Sequence, residues 1–179
     1  MDIETKNWRI EKILTLEEAA FRADELKKQG KKVVTAYGTF DVIHSGHLDL
    51  LEEAKRQGDV LFVGINSDAA VKEGKGNDRP YLAEGMRAAL LAAMICVDYV
   101  VIVDAPYYST VAEKFVRSIK PTVHVGGPDY GPPETWAEYT AMQEVGAYGH
   151  WIPKKIFSPT ELIEKIRSTI KTVVHSTPD

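Results

Sequence analysis

Tyr37-Gly38-Thr39-Phe40-Asp41-Val42-Ile43-His44-Ser45-Gly46-His47 is the stretch whose reading decides the fold. Upstream of it, the apolar run Val33-Val34-Thr35-Ala36-Tyr37, bounded by Gly30-Lys31-Lys32, predicts a buried strand. Downstream, Leu48, Leu51 and Ala54 recur at helical spacing until Gly58, which predicts a helix over 48–57. The block therefore sits at the carboxyl end of a strand and the amino end of a helix. Open α/β sheets bind ligands at that place, and the unpaired N–H groups of a helix start favour anions. His44 and His47 lie within one turn of that start, placed to donate hydrogen bonds to phosphate oxygens. Gly46 removes a side chain that would hold a phosphate away.

The rest of the chain agrees with an α/β enzyme. Its 179 residues, 44% of them hydrophobic, predict one globular domain over 1–179, with an N-terminal arm at 1–13 and a loose tail at 174–179. The net charge of −4 is spread in mixed sign, which argues against a nucleic-acid platform. No apolar run approaches the roughly 20 residues of a membrane span. The charged start, Met1-Asp2-Ile3-Glu4-Thr5-Lys6, lacks a secretory core, so the cytoplasm is the expected compartment. Cys96, the single cysteine, lies in an apolar context and reads as core filler; it excludes an intrachain disulfide.

Taken in order, Thr15 and Glu18 form a capping box for a helix that Gly30 ends. Val60 to Ile65 predicts a second strand, running into Asn66-Ser67-Asp68, and 71–81 reads as an irregular charged loop. Glu84–Met94 predicts a helix carrying Arg87, and Asp98–Asp104 a third strand. Thr110 to Glu113 reads as a capping box for a helix through Ile119, stopped by Pro121. Thr122–Val125 is a fourth strand, ending in Gly126-Gly127-Pro128-Asp129-Tyr130. A helix over Pro133–Val145, a fifth strand over Tyr148–Ile152 and a last helix over Pro159–Val173, with Ser158 as N-cap and Glu161 at N3, complete the chain. This alternation predicts a Rossmann-like, doubly wound, parallel five-stranded sheet with helices on both faces.

With G-T-F-D followed by H-x-G-H, the chain resembles the cytidylyltransferase-like nucleotidyltransferases, and the resemblance implies their HxGH nucleotidyltransferase fold. Lys75-Gly76, Arg79-Pro80, Arg87, Val97 to Val101, Lys120-Pro121, Gly126-Gly127 and Asp129-Tyr130 extend the likeness over roughly residues 14–170. Within the family they resemble the adenylyltransferase domain of bacterial ADP-heptose synthases. By that resemblance Gly38, Thr39, Phe40 and Asp41 line the nucleotide site, and His44 and His47 bind its phosphates. Lys75 and Arg79 join the histidines as catalytic cations that meet the triphosphate or the acceptor phosphate, and Arg87 supports the same anionic pocket. Asn66 and Asp68 match the family's N-S-D loop. Gly127 and Asp129 fall in the matching glycine loop, and the hydroxyls of Ser158 and Thr160 face the triphosphate.

The implied reaction moves a nucleoside monophosphate from ATP, or CTP, to a sugar phosphate or polyol phosphate and releases pyrophosphate. Mg2+ accompanies the nucleotide with no dedicated protein metal site, and a homodimer is implied, with Pro106-Tyr107-Tyr108 and the Trp136/Tyr139 segment read equally as its candidate interface or as core packing. Heptose 1-phosphate with ATP leads; glycerol-3-phosphate cytidylyltransferase and a non-catalytic nucleotide-binding module are the alternatives. The chemistry suits the residues: a phosphate monoester is already anionic near neutral pH, its second pKa being about 6. The reaction therefore needs positioning and charge stabilisation more than a base. No nucleophile elbow and no Cys/His cluster offers a serine-hydrolase or zinc reading. The chain departs from the branch at three places. Tyr37 stands for its asparagine, which looks more like glycerol-3-phosphate cytidylyltransferase. Val125 precedes the glycine pair where the branch has lysine, with Pro128 inserted before Asp129. Ser158-Pro159-Thr160-Glu161 replaces a Ser-Thr-Thr helix start.

Overall fold

A computed structural model describes residues 7–106 and 109–153. The expected last helix with Ser158 and Thr160, and Tyr107-Tyr108, lie outside the described residues. Among the described residues, six strands form one parallel sheet in the order β1-β4-β3-β2-β5-β6. They are β1 (Ile13–Leu14), β2 (Val33–Gly38), β3 (Val60–Asn66), β4 (Tyr99–Val103), β5 (Val123–Gly126) and β6 (Tyr148–Trp151). Between them run α1 (Leu16–Lys28), α2 (Ser45–Arg56), α3 (Asp68–Lys75), α4 (Glu84–Ala92), α5 (Ser109–Ile119) and α6 (Tyr139–Val145).

Successive strands move outward from β2 on one side, then resume on its other side with β5. The switch point therefore lies between the carboxyl ends of β2 and β5, where the chain leaves a crevice. β2 is paired on both edges, to β3 from Val33↔Val60 through Gly38↔Ile65 and to β5 from Val34↔Val123 through Ala36↔Val125. Alternate residues of the strands then face two helical layers. Val34, Ala36, Leu61, Val63, Ile65 and Val100 pack with Leu51 and Ala54 of α2 and with Ala88, Leu91 and Ala92 of α4. Val33, Phe62, Val101 and Val103 meet Ala19 and Ala23 of α1 and Val111, Phe115 and Ile119 of α5. Trp136, Ala141 and Met142 close a third cluster against Val116.

The structure corrects several expectations. The sheet has a sixth strand: Ile13–Leu14, read as part of the arm and its border, pairs in parallel with Val100–Val101. Two residues carry no periodicity, so only the edge of β4 reveals them. The stretch read as an irregular loop begins with the helix α3, because Ser67 accepts the N–H of Ala70 as N-cap and Val71 supplies a buried face. Thr110 lies inside α5, which begins at Ser109, and so is not its cap. The helix expected over Pro133–Val145 is α-helical only from Tyr139. Short 3-10 turns at Pro128–Tyr130 and Pro133–Thr135 precede it, because Trp136 takes an extended conformation (ψ 141°) to lay its ring on the sheet. Trp136 is thus a core residue, 4% exposed, which decides its side of the open choice between interface and core. The Thr15–Glu18 capping box forms as expected, each side chain accepting the other's backbone N–H.

Gly64 shows how tightly the layers meet. A Cβ there would lie 2.9 Å from both Tyr37 Cδ2 and Phe115 Cδ1. Gly64→Ala is expected to destabilise the fold by about 1–3 kcal/mol, the cost of overpacking a filled core, measured by urea unfolding. An unchanged midpoint would mean that this ring pair yields freely.

Candidate active site

The turn after β2 is built around a strained residue. Phe40 has φ +48°, in the left-handed region that an aromatic residue rarely enters. That turn folds its ring back over Gly38, where a Cβ would stand 3.0 Å from Phe40 Cε2. The ring is buried, 3% exposed, and packs against the His47 ring at 5.1 Å between centroids. His47 in turn stacks on His44, 3.8 Å between centroids with 27° between planes. Phe40 thus supports the histidines from below.

His44 is the N-cap residue of α2 and makes no side-chain cap bond, and no acid stands in the first turn. The first amides of α2 and the two imidazoles therefore face the same mouth, a combination that draws anions. Nδ1 of His47 is buried and has no hydrogen-bond partner among the described residues. Burial lowers the His44 pKa. Burial, then His44, then the charge of Lys75 push His47 down to about 4. Both rings are neutral donors at neutral pH.

The cations expected beside them divide into two kinds. Lys75 ends α3, with a pKa lowered by desolvation first and then by Arg79, against the pull of Asp41. Arg79 is paired inside the protein: its Nε and Nη2 each lie 2.7 Å from Asp41 Oδ2. Its guanidinium also covers the ring of Tyr81 at 4.5 Å. Asp41 further accepts the N–H of Tyr81 at 2.8 Å and of Leu82 at 2.9 Å. Burial works against the Asp41 charge, but those two amides and Arg79 outweigh it and hold its carboxyl below the usual range. Asp41 therefore latches the loop from Gly76 to Leu82 beside the histidines, and that is its visible work.

Arg87 is 0% exposed and all its bonds are internal. Nε donates to Leu82 O, Nη1 to Thr39 O, and Nη2 to Asn66 O and to Asp68 Oδ1 at 2.7 Å. It supports the pocket by fixing the ends of β2 and β3 and the latched loop. Asp68 is engaged by Arg87, and its own N–H donates to Glu84. Thr39 Oγ1 donates to Asn66 Oδ1 at 3.4 Å. Across the crevice, Gly127 is buried and faces Leu50 of α2, whose methyls a Cβ would meet at 3.8 Å. Asp129 is exposed on the 3-10 turn beyond it.

The structure thus gathers Gly38, Phe40, His44, Gly46, His47, Lys75 and Arg79 around one mouth, with Gly127 on the far wall. Sequence reading missed the scaffolding partners Glu84 and Tyr81, and also His124 and Glu138 beneath that far wall. An aromatic two residues after Arg79 was the one available signal, for the cation–π contact.

The cytidylyltransferase-like family profile matches residues 35–171. The bifunctional protein HldE of Geobacter metallireducens is 39% identical over 159 residues, covering 87% of this chain and 31% of that protein. HldE of Helicobacter pylori is 38% identical over 164 residues, 88% of this chain and 32% of that one. The chain spans about a third of the length of these curated relatives. Among solved structures, a lipopolysaccharide core biosynthesis protein from Thermoplasma volcanium is 28% identical with a TM-score of 0.56, over 72% of this chain and 100% of that one. A pantoate–β-alanine ligase from Francisella tularensis, 16% identical, shares the fold at a TM-score of 0.59 over 81% and 67%. With that profile spanning β2 to β6 and the stacked histidines standing where its fold binds ligands, the chain belongs to the cytidylyltransferase-like family.

Proposed function

We propose that this nucleotidyltransferase passes the adenylyl group of ATP to D-glycero-β-D-manno-heptose 1-phosphate and releases pyrophosphate. The observation that carries the transfer reaction is the stacked, neutral pair His44–His47 at the open start of α2, next to Lys75. The acceptor's phosphate oxygen attacks the α-phosphorus, and the bond from that phosphorus to the bridging oxygen breaks, leaving on pyrophosphate. Charge gathers on the α-phosphate and the leaving group. N–H donors from the imidazoles and from the amides of Ser45 and Gly46 are fixed in place before the charge arrives, which is the arrangement that lowers such barriers. Lys75 supplies a partly desolvated positive charge on the β3 side.

Support for the acceptor comes from the branch that the sequence resembles. Tyr37, the departure toward glycerol 3-phosphate, packs its ring beside Phe115 with 6.2 Å between centroids. In this reading Mg2+ accompanies the triphosphate, while the Asp41 carboxylate is engaged by the Gly76–Leu82 loop. A homodimer and a cytoplasmic setting complete the reading. Among the described residues no helix is long and apolar enough to cross a membrane.

Pyrophosphate release from ATP and CTP, each with heptose 1-phosphate and glycerol 3-phosphate, tests the assignment. ATP with heptose 1-phosphate is expected to lead in kcat/KM by tenfold or more; tight nucleotide binding without turnover of any pair would make this a binding module. His44→Ala and His47→Ala are each expected to lower kcat by roughly a hundredfold or more, the scale of one preorganised donor, with the fold retained by circular dichroism. Near-normal kcat in either variant would remove the histidines from the reaction.

The depressed His47 pKa gives a pH test. The unfolded chain binds this proton near the ordinary histidine value of 6.5 and the folded chain only near 4. Stability is therefore expected to fall as pH drops through that window, since the unfolded state then holds more protons. An NMR titration of the His47 ring should give a midpoint near 4 in the free protein, moving up when a non-hydrolysable ATP analogue binds. A midpoint that ignores the nucleotide would place the triphosphate elsewhere.

A further inference from the structure

Beneath the far wall of the crevice lies a buried polar chain that no step of the transfer uses. His124, on β5, is 1% exposed and Glu138 3% exposed. The two imidazole nitrogens are both engaged: Nδ1 lies 2.7 Å from Thr35 Oγ1, and Nε2 lies 3.1 Å from Glu138 Oε1. Thr35 belongs to β2, the strand that delivers the histidine turn, and it is the register partner of His124. Glu138 is the N-cap residue of α6 but makes no cap bond there. It turns inward, and His124 holds its carboxyl below the usual range despite the opposing effect of burial. Burying a carboxylate is costly unless its partners are well placed. Removing one partner of such a pair would leave the other buried and uncompensated.

What that geometry fixes is the segment between Gly127 and Glu138. Trp136 rests on Gly126, where a Cβ would lie 2.5 Å from its Cζ2, and turns its edge to His124 at 5.8 Å. Its Nε1 donates to Gly131 O at 2.8 Å. Thr135 Oγ1 donates to Pro132 O at 2.7 Å and lies 3.1 Å from Tyr130 O. These contacts, the packing of Pro133 on Gly149 of β6 and the Glu138 anchor act together on where Gly127, Asp129 and Tyr130 stand relative to α2.

We propose that Thr35, His124 and Glu138 form a cross-brace between the two walls of the crevice, making His124 and Glu138 positioning residues that set substrate fit on the β5 side of the site. One wall is the histidine turn at the end of β2, and the other is the Gly127–Tyr130 turn at the end of β5. Lys75 and Arg79 enter from the β3 side, so the brace governs the substrate groups opposite them. The consequence for catalysis rests on the transfer reaction proposed above; the brace itself does not.

The test compares Glu138→Ala with Glu138→Gln in the full chain. Hydrogen exchange reads the loop without any substrate: Glu138→Ala should speed exchange across Gly127–Trp136 at least tenfold while the α2 amides stay as in the parent. In steady-state kinetics with ATP and the sugar phosphate, it should raise at least one KM fivefold or more and keep kcat within twofold. Glu138→Gln retains an acceptor for His124 and should restore both readouts. If Glu138→Ala does not fold, Thr35→Val, which keeps the shape and drops the hydroxyl, reads the brace from its other end with the same expected pattern. Loss of melting temperature with unchanged exchange and unchanged KM values, or a Gln variant as impaired as Ala, would overturn the proposal. If exchange responds but the parent turns over no substrate pair, the brace stands and the transfer reaction fails.

Discussion

A guanidinium with no solvent exposure holds the carboxyl end of this sheet in shape. Arg87 binds the carbonyl oxygens of Thr39, Asn66 and Leu82 and the carboxylate of Asp68. Those carbonyls close β2, β3 and the loop that leads into α4, three segments with no common ladder beyond the ends of their strands. A planar fork with five donors is the side chain that can satisfy several acceptors at once. It also carries a charge that must be matched, and Asp68 matches it. Were Arg87 shortened, several buried acceptors would be left without a donor, each costing about 1–3 kcal/mol. The precision of the histidine turn thus begins one layer below it.

Above that layer, opposite charges and neutral donors are kept in separate places. Asp41 sits close in sequence to the histidines, and a free carboxylate at this mouth would repel a triphosphate. It is buried instead under two backbone amides and Arg79, and its charge holds a loop. The strained Phe40 performs a similar service for His47, trading an unfavourable backbone angle for a fixed ring beneath it.

The strand, turn and helix around residues 33–57 were legible because periodicity, a phosphate-friendly helix start and the paired histidines all agree there. The Thr15–Glu18 box was legible for the same reason: its signal is local. What escaped reading depends on distant partners. Ile13–Leu14 becomes a strand only because β4 offers an edge. The inward bonds of Asp41, Asp68 and Arg87 are of the same kind, because charged residues near such a helix start read as facing it. Whether a charge points outward or inward is decided by groups nineteen to forty-eight residues away, such as Asp68 and Thr39 for Arg87. His124 and Glu138 meet across an irregular loop with no motif to announce them.

An all-parallel sheet also has an order in time. No pair of its strands can be joined by a tight hairpin, so each pairing waits for a crossover to be made. The histidine turn and its β3 neighbour come from one compact run of chain. The contact that closes the other side, Thr35 with His124, joins residues separated by 89 positions. During synthesis, which proceeds from the N-terminus, the histidine half of the crevice emerges well before its opposing wall. The last strands to arrive turn an open ledge into a cleft.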